Sequence, residues 1–189
     1  MEALKQRIRL EGQNLGGGIL KVDSFLNHQV DAHLMLAAGG ALAAHFGALG
    51  INKVLTAEIS GIAPALTTAL ALGVPVVYAR KTKPVTMPEH AFVASAPSHT
   101  KGHEVHLMVS PEFLGPQDKV LIIDDFLARG KTIDALVKLA QQGRAEIKGI
   151  GVVIEKAFEG GRAELAYLGV PIHSLVVVTA MHDNCIEFA

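Results

Sequence analysis

Two adjacent carboxylates, Asp124 and Asp125, follow the apolar run Lys119-Val120-Leu121-Ile122-Ile123 and precede Phe126-Leu127-Ala128-Arg129-Gly130-Lys131-Thr132. The run reads as a buried strand, Asp124 to Gly130 as a loop, and Lys131 to Gln142 as a helix closed by Gly143. The pair is thus expected at the solvent-facing C-terminal edge of a strand, where open parallel sheets bind ligands. An isolated Asp pair there need only end a strand and cap a helix. Here neither acid directly precedes the helix, and Ala128, Arg129, Gly130, Lys131 and Thr132 offer consecutive N–H groups, a hydroxyl and the positive end of a helix, a cradle for phosphate. Gly130-Lys131-Thr132 also matches the end of the triphosphate loop G-x-x-x-x-G-K-[ST], but Asp125 occupies the place of its first glycine. Two carboxylates there oppose a polyphosphate and suit a sugar phosphate, whose vicinal hydroxyls donate to the acids while the loop holds the phosphate.

Other chemistry-bearing clusters are weaker. Gly16-Gly17-Gly18 lacks a preceding strand and the dinucleotide spacing, so it reads as a turn. No strand or helix period puts His99, His103 and His106 on one face, so they read as part of a polar loop and not as a metal site. The lone Cys185 has no neighbouring group to activate it and no partner for an intrachain disulfide.

The elements that must position the acids alternate. Asp31 caps a helix running to Gly47 despite the Gly39-Gly40 pair, with Leu34, Met35, Leu36, Leu42 and Phe46 among alanines. Lys53 to Ala57 reads as a strand, Ile62 to Leu72 as a helix and Val74 to Ala79 as a strand. Both strands are apolar throughout, as in a parallel sheet covered on both faces. Between Arg80 and Gly115 two weak strands, Ala91 to Ser95 and Glu104 to Val109, suggest an inserted antiparallel flap. After the acidic unit come a strand Ile147 to Ile154, a short helix Gly161 to Leu168 and a strand Pro171 to Val178.

The chain has 189 residues, half of them hydrophobic and only 5% aromatic, so its core is aliphatic and of one-domain size. A net charge of −1 provides no global basic field for nucleic acid. Apolar stretches such as Ala69 to Ala79 are broken by Gly73 and Pro75, and the N-terminus lacks a basic start followed by an apolar run. A cytoplasmic protein in a reducing compartment, with neither membrane nor nucleic acid as partner, is the expectation.

Val120 to Thr132 resembles the 5-phosphoribosyl 1-pyrophosphate (PRPP) signature of type I phosphoribosyltransferases. Met1 to Lys5, Leu20 to Gln29, Ser60 to Ala65, Leu72 to Val77 and Gly149 to Lys156 extend the resemblance, specifically to the bacterial xanthine-using branch, over nearly the full length. The resemblance implies one α/β domain over residues 1–189. Its mostly parallel sheet would be flanked by helices, with a flap near 84–115 and a small hood near 1–30 and 155–189. It also implies transfer of the phosphoribosyl group to N9 of xanthine, Mg²⁺ carried largely by PRPP, and a homodimer. On the matching positions, Asp124 and Asp125 face the ribose, and 128–132 hold the 5′-phosphate through backbone donors. Leu20, Asn27 and Lys156 contact the base, and the loop with Ser60 and Gly61 approaches pyrophosphate. Arg80, Lys81 and Lys83 form the densest basic cluster and end a strand at the ligand edge, so Lys81 and Lys83 are expected to meet pyrophosphate too. The Ser98 to Lys101 tip would close over the reacting centre. Arg129 and Lys131 depart from the smaller or uncharged residues expected there, which leaves their side-chain roles open. Lys156 suits an oxo group and not adenine's amine, although a surface pair with Glu155 would also explain it. An adenine or other purine phosphoribosyltransferase, or a PRPP-sensing regulator with a nucleic-acid-binding module, are the competing readings.

Overall fold

Strict alternation of side chains along the apolar strands lets one sheet bury two cores. In the computed structural model, which describes residues 1–97, 104–182 and 185–189, β1 (Gln13–Asn14) and β2 (Leu20–Lys21) form a small hairpin behind helix α1 (Glu2–Glu11). One π-helical turn, Asp23–Asn27, leads to α2 (Ala32–Phe46). There follow β3 (Lys53–Ala57), α3 (Ile62–Leu72), β4 (Val76–Ala79), the hairpin β5 (Phe92–Pro97) and β6 (Glu104–Val109), and β7 (Lys119–Leu127). The chain ends with α4 (Lys131–Gln142), β8 (Glu146–Lys156), α5 (Gly161–Glu164), β9 (Ile172–His182) and β10 (Cys185–Phe188). The central sheet has the order β10-β9-β8-β7-β3-β4, parallel except for β10.

Leu121 and Ile123 of β7 face α1, α2 and α3, while Val120 and Ile122 face α4 and the β5–β6 hairpin. Past Ile123 this alternation breaks: Phe126 joins the first layer and Leu127 the second. The N–H groups of Asp125 and Phe126 are taken by the carboxylates of the preceding residues, at 3.0 and 2.9 Å. Pairing with β8 nevertheless continues past both acids, Asp124 opposite Val152, Phe126 opposite Ile154 and Leu127 opposite Glu155, so the expected loop from Asp124 shortens to the few residues before α4.

Several expectations require correction. The final strand runs on to His182 and then reverses as β10. Gly161 to Leu168 divides into α5 and a separate 3₁₀ turn, Ala166–Leu168. The Ser98 to Lys101 tip, His99 and His103 lie outside the described residues; His106 Nδ1 is 3.0 Å from Ser95 Oγ on the hairpin. The helical stretch Ala32–Leu49, 18 residues of mean hydropathy 1.4, is long and apolar enough to cross a membrane by length and composition. In the fold its Met35, Leu42 and Phe46 are buried against the sheet with α1 and α3.

Asp31 caps α2 as expected, its Oδ1 accepting from the Leu34 N–H at 3.0 Å, and Arg7 of α1 grips the same carboxylate at 2.7 Å. The two glycines inside α2 differ. A Cβ on Gly39 would lie 2.4 Å from the Thr67 carbonyl carbon of α3, whereas one on Gly40 would meet nothing within 4 Å. Gly39 sets how closely the helices cross. Chemical denaturation should show Gly40→Ala gaining about 0.5–1 kcal/mol from helix propensity. Gly39→Ala should lose about 1–3 kcal/mol from overpacking, and equal effects at the two positions would contradict the close crossing.

Candidate active site

Because β3 and β7 are parallel neighbours, their C-terminal ends open side by side, and each continues into a helix. Between them lies a cavity of about 300 Å³ lined by Ala57 to Gly61, Lys81, Asp124 to Phe126, Ala128 to Ile133, and Val105 and Leu107 of the hairpin. The structure thus brings both acids, all five phosphate-loop residues, Ser60, Gly61 and Lys81 to one cavity.

Gly130 adopts a left-handed conformation (φ 73°) that turns the chain from β7 into α4. Behind the loop, the Gly161 N–H donates to the Ala128 carbonyl at 2.9 Å. A Cβ on Gly161 would lie 2.3 Å from that oxygen and 2.7 Å from the Gly130 nitrogen. Gly161 is therefore a support that was missed in the sequence. The side chains of Arg129 and Lys131 reach towards Glu159 at 3.5 Å and Glu164 at 3.9 Å.

The two acids differ. Asp124 is 5% exposed, so the expectation of a solvent-facing pair fails for it, while Asp125 is only half-buried. Burial pushes the Asp124 carboxyl well above the usual carboxylate range; the charge of Asp125 pushes the same way, and Lys81 opposes it weakly. A Cβ on Gly61 would lie 2.9 Å from Asp124 Oδ1 and 2.4 Å from Thr56 Oγ1. This glycine lets the β3–α3 turn pass directly over the acid. Gly61 also stands at the helix N-terminus with no side-chain cap, so Ser60 does not act as the cap.

Glu58, also missed in the sequence, ties the basic segment to the cavity: it accepts from the Lys81 N–H at 2.5 Å and from Arg80 Nε at 2.9 Å. Arg80 is thereby paired. Lys83 lies apart from the cavity, its Nζ donating to the Glu89 carbonyl at 3.3 Å.

The three residues expected on the base do not line this cavity, although Asn27 and Lys156 each touch or approach a residue that does. Asn27 Nδ2 donates to Asp125 Oδ2 at 2.8 Å, while Asn27 Oδ1 is buried with no hydrogen-bond partner among the described residues. Leu20 is buried in the first core. Lys156 Nζ lies 5.9 Å from the Phe126 ring centre, donates to the Gly18 carbonyl at 2.8 Å and pairs with Glu159. The alternative pair with Glu155 is absent, since Arg162 and Ser174 hold that buried carboxylate.

Comparison with known proteins agrees with this geometry. Residues 47–167 match the family described as "Phosphoribosyl transferase domain". A xanthine phosphoribosyltransferase of Deinococcus deserti is 50% identical over 184 residues, 97% of this chain and 95% of its own length. One from Bacillus licheniformis is 47% identical over 188 residues, covering 100% of this chain and 97% of that protein. The crystal structure of adenine phosphoribosyltransferase from Rhodothermus marinus superposes with a TM-score of 0.75 at 23% identity, over 94% of this chain and all of that one. At that identity the likeness shows the fold alone. With this domain spanning the acidic strand end and the phosphate loop, and with relatives so similar over the whole length, the chain belongs to the phosphoribosyltransferase family.

Proposed function

We propose that this chain transfers the 5-phosphoribosyl group of PRPP to N9 of xanthine, forming xanthosine 5′-monophosphate and releasing pyrophosphate. One observation carries the reading: Asn27, which the family resemblance assigns to the base, donates to Asp125 in the cavity lined by 128–132, so the residues assigned to base, ribose and phosphate adjoin. The names of the relatives that are 47–50% identical support xanthine. Lys156 supports an oxopurine, because its ammonium needs an acceptor that adenine's amine does not supply.

In the reaction the bond from C1′ to pyrophosphate breaks and the bond from C1′ to N9 forms, while the N9 proton passes to solvent. The 128–132 amides hold the 5′-phosphate, and Asp124 and Asp125 accept from ribose hydroxyls and face the positive charge that grows on the ring. Lys81 and the amides of Ser60 and Gly61 lie where pyrophosphate gathers negative charge. Among the described residues no three His, Cys, Asp or Glu side chains form a metal-holding group. The carboxylate pair fits a hard cation whose other oxygens come from the substrate, and Mg²⁺ bound there would neutralise the departing pyrophosphate. Residues 1–189 act as one domain, with the segments near 1–30 and 155–189 supplying the base side as a hood. A homodimer in the cytoplasm is part of the same proposal, with sedimentation as its test.

The acid pair and the base side are separately testable. Asp124 has a raised folded pKa, so its cost to stability grows as pH rises from its unfolded value of about 3.9 and is complete above the folded value. Asp124→Asn should therefore raise the melting temperature at pH 7 by about 2–6 °C, with the gain shrinking towards pH 4, while turnover falls about a hundredfold or more. A lower melting temperature at pH 7 would contradict the buried charge. When pyrophosphate release is followed with PRPP, Mg²⁺ and each base, xanthine should turn over fastest and adenine not at all. Turnover of adenine alone would overturn the specificity.

A further inference from the structure

Glu159 lies outside both the acid pair and the phosphate loop, yet it reaches Lys156 on the base side and Arg129 in the loop. It closes the 3₁₀ turn Ala157–Glu159 that follows β8, and its side chain is 14% exposed. One carboxylate oxygen pairs with Lys156 Nζ, whose side chain is 13% exposed. The other lies 3.5 Å from Nε of Arg129. An ammonium has three donors; Glu159 and the Gly18 carbonyl, at 2.8 Å, engage two of them, leaving one for a ligand. A lysine without such anchors is a flexible, strongly hydrated charge that spreads over many positions. Gly18 has φ +78°, and a Cβ there would stand 3.6 Å from the Glu159 carboxylate, so the turn Gly16-Gly17-Gly18 brings a carbonyl close to this pair.

We infer that Glu159 is a positioning residue for base recognition: it presents Lys156 as a single oriented donor to the oxopurine and, through Arg129, couples the base side to the phosphate loop. The inference rests on the proposed assignment of Lys156 to the base. Arg129 then acts on the base through its side chain and on phosphate through its backbone. This gives a role to a charged residue that the phosphate cradle alone does not need.

The test is steady-state pyrophosphate release by the full chain with xanthine and PRPP varied in turn, for Lys156→Ala, Glu159→Ala, Glu159→Gln, Arg129→Ala and the double variant Arg129→Ala with Glu159→Ala. Glu159→Ala should raise the KM for xanthine about tenfold with the KM for PRPP changed by less than about twofold. Glu159→Gln retains an acceptor for the ammonium and should recover about half of that loss on a logarithmic scale. Arg129→Ala should raise the KM for xanthine about twofold in the parent and not at all in the Glu159→Ala background. Wild-type xanthine KM in both Glu159 variants, equal rises in both KM values, or multiplying effects in the double variant would overturn the inference while leaving the Lys156 assignment intact. An unchanged xanthine KM in Lys156→Ala would overturn that assignment and the inference with it. Thermal melts accompany the kinetics, and if Glu159→Ala does not fold, Glu159→Gln decides the case by the same split between the two KM values.

Discussion

Asp124 is held out of water beside a second acid in the C-terminal half of β7, inside a mostly parallel sheet, and the arrangement around it answers the cost of that burial. Its oxygen accepts from the next residue's N–H, Gly61 gives up a side chain so that a turn can cross over it, and Lys81 provides the nearby opposite charge. A carboxyl in such surroundings holds its proton more firmly than one in water. In the proposed reaction the hydroxyls of the ribose meet this acid where the fold has already removed water, so the energy spent in folding serves to orient the reacting carbon.

The same sheet edge explains how distant parts of the chain make one site. β3 delivers the turn at 58–61, β7 delivers the acids and the loop, and β8 delivers Lys156 at its last residue. Asn27 arrives from the N-terminal segment, which α1 and the π-helical turn pack onto the α2 face of the sheet. In the proposed reaction each of these strand ends serves a different part of the substrates, with pyrophosphate at β3, ribose and phosphate at β7, and the base at β8. Glutamates bind these ends together, Glu58 across to Lys81 and Glu159 between Lys156 and Arg129. The near-neutral sum of charges conceals a site in which acids and bases are interleaved at close range.

Much of this was legible in local sequence. The apolar runs of β3, β7 and β8 stand out because both their faces are covered, whereas β4, read the same way, is the sheet's edge strand with Tyr78 exposed; the acid pair and loop at 124–132 are contiguous, so their chemistry could be read without knowing the fold. The end of β7 was misplaced because acids ordinarily stop a buried strand; here the pairing with β8 carries on through Asp124, Phe126 and Leu127, while the carboxylates accept from the N–H groups that follow them. Leu20, Asn27 and Lys156 carry no local signal, and only the family resemblance singled them out, since their proximity depends on strand order. Glu58, Glu159 and Gly161 were missed for the same reason. Glu58 follows a strand directly and Gly161 follows another glycine, but neither pattern distinguishes a support from an ordinary turn. Lys83, read from a dense basic run, shows the converse: a charge run places a residue on a segment and does not say where its ammonium points.

In the proposed reaction one sheet edge holds the phosphate, ribose and base of a single nucleotide, and a crystal structure with xanthosine 5′-monophosphate tests this most directly. The 5′-phosphate should lie on the amides of 128–132, the ribose hydroxyls on Asp124 and Asp125, and a base oxygen on Lys156. A nucleotide bound with its phosphate away from that loop, or with its base remote from Lys156 and Asn27, would contradict it.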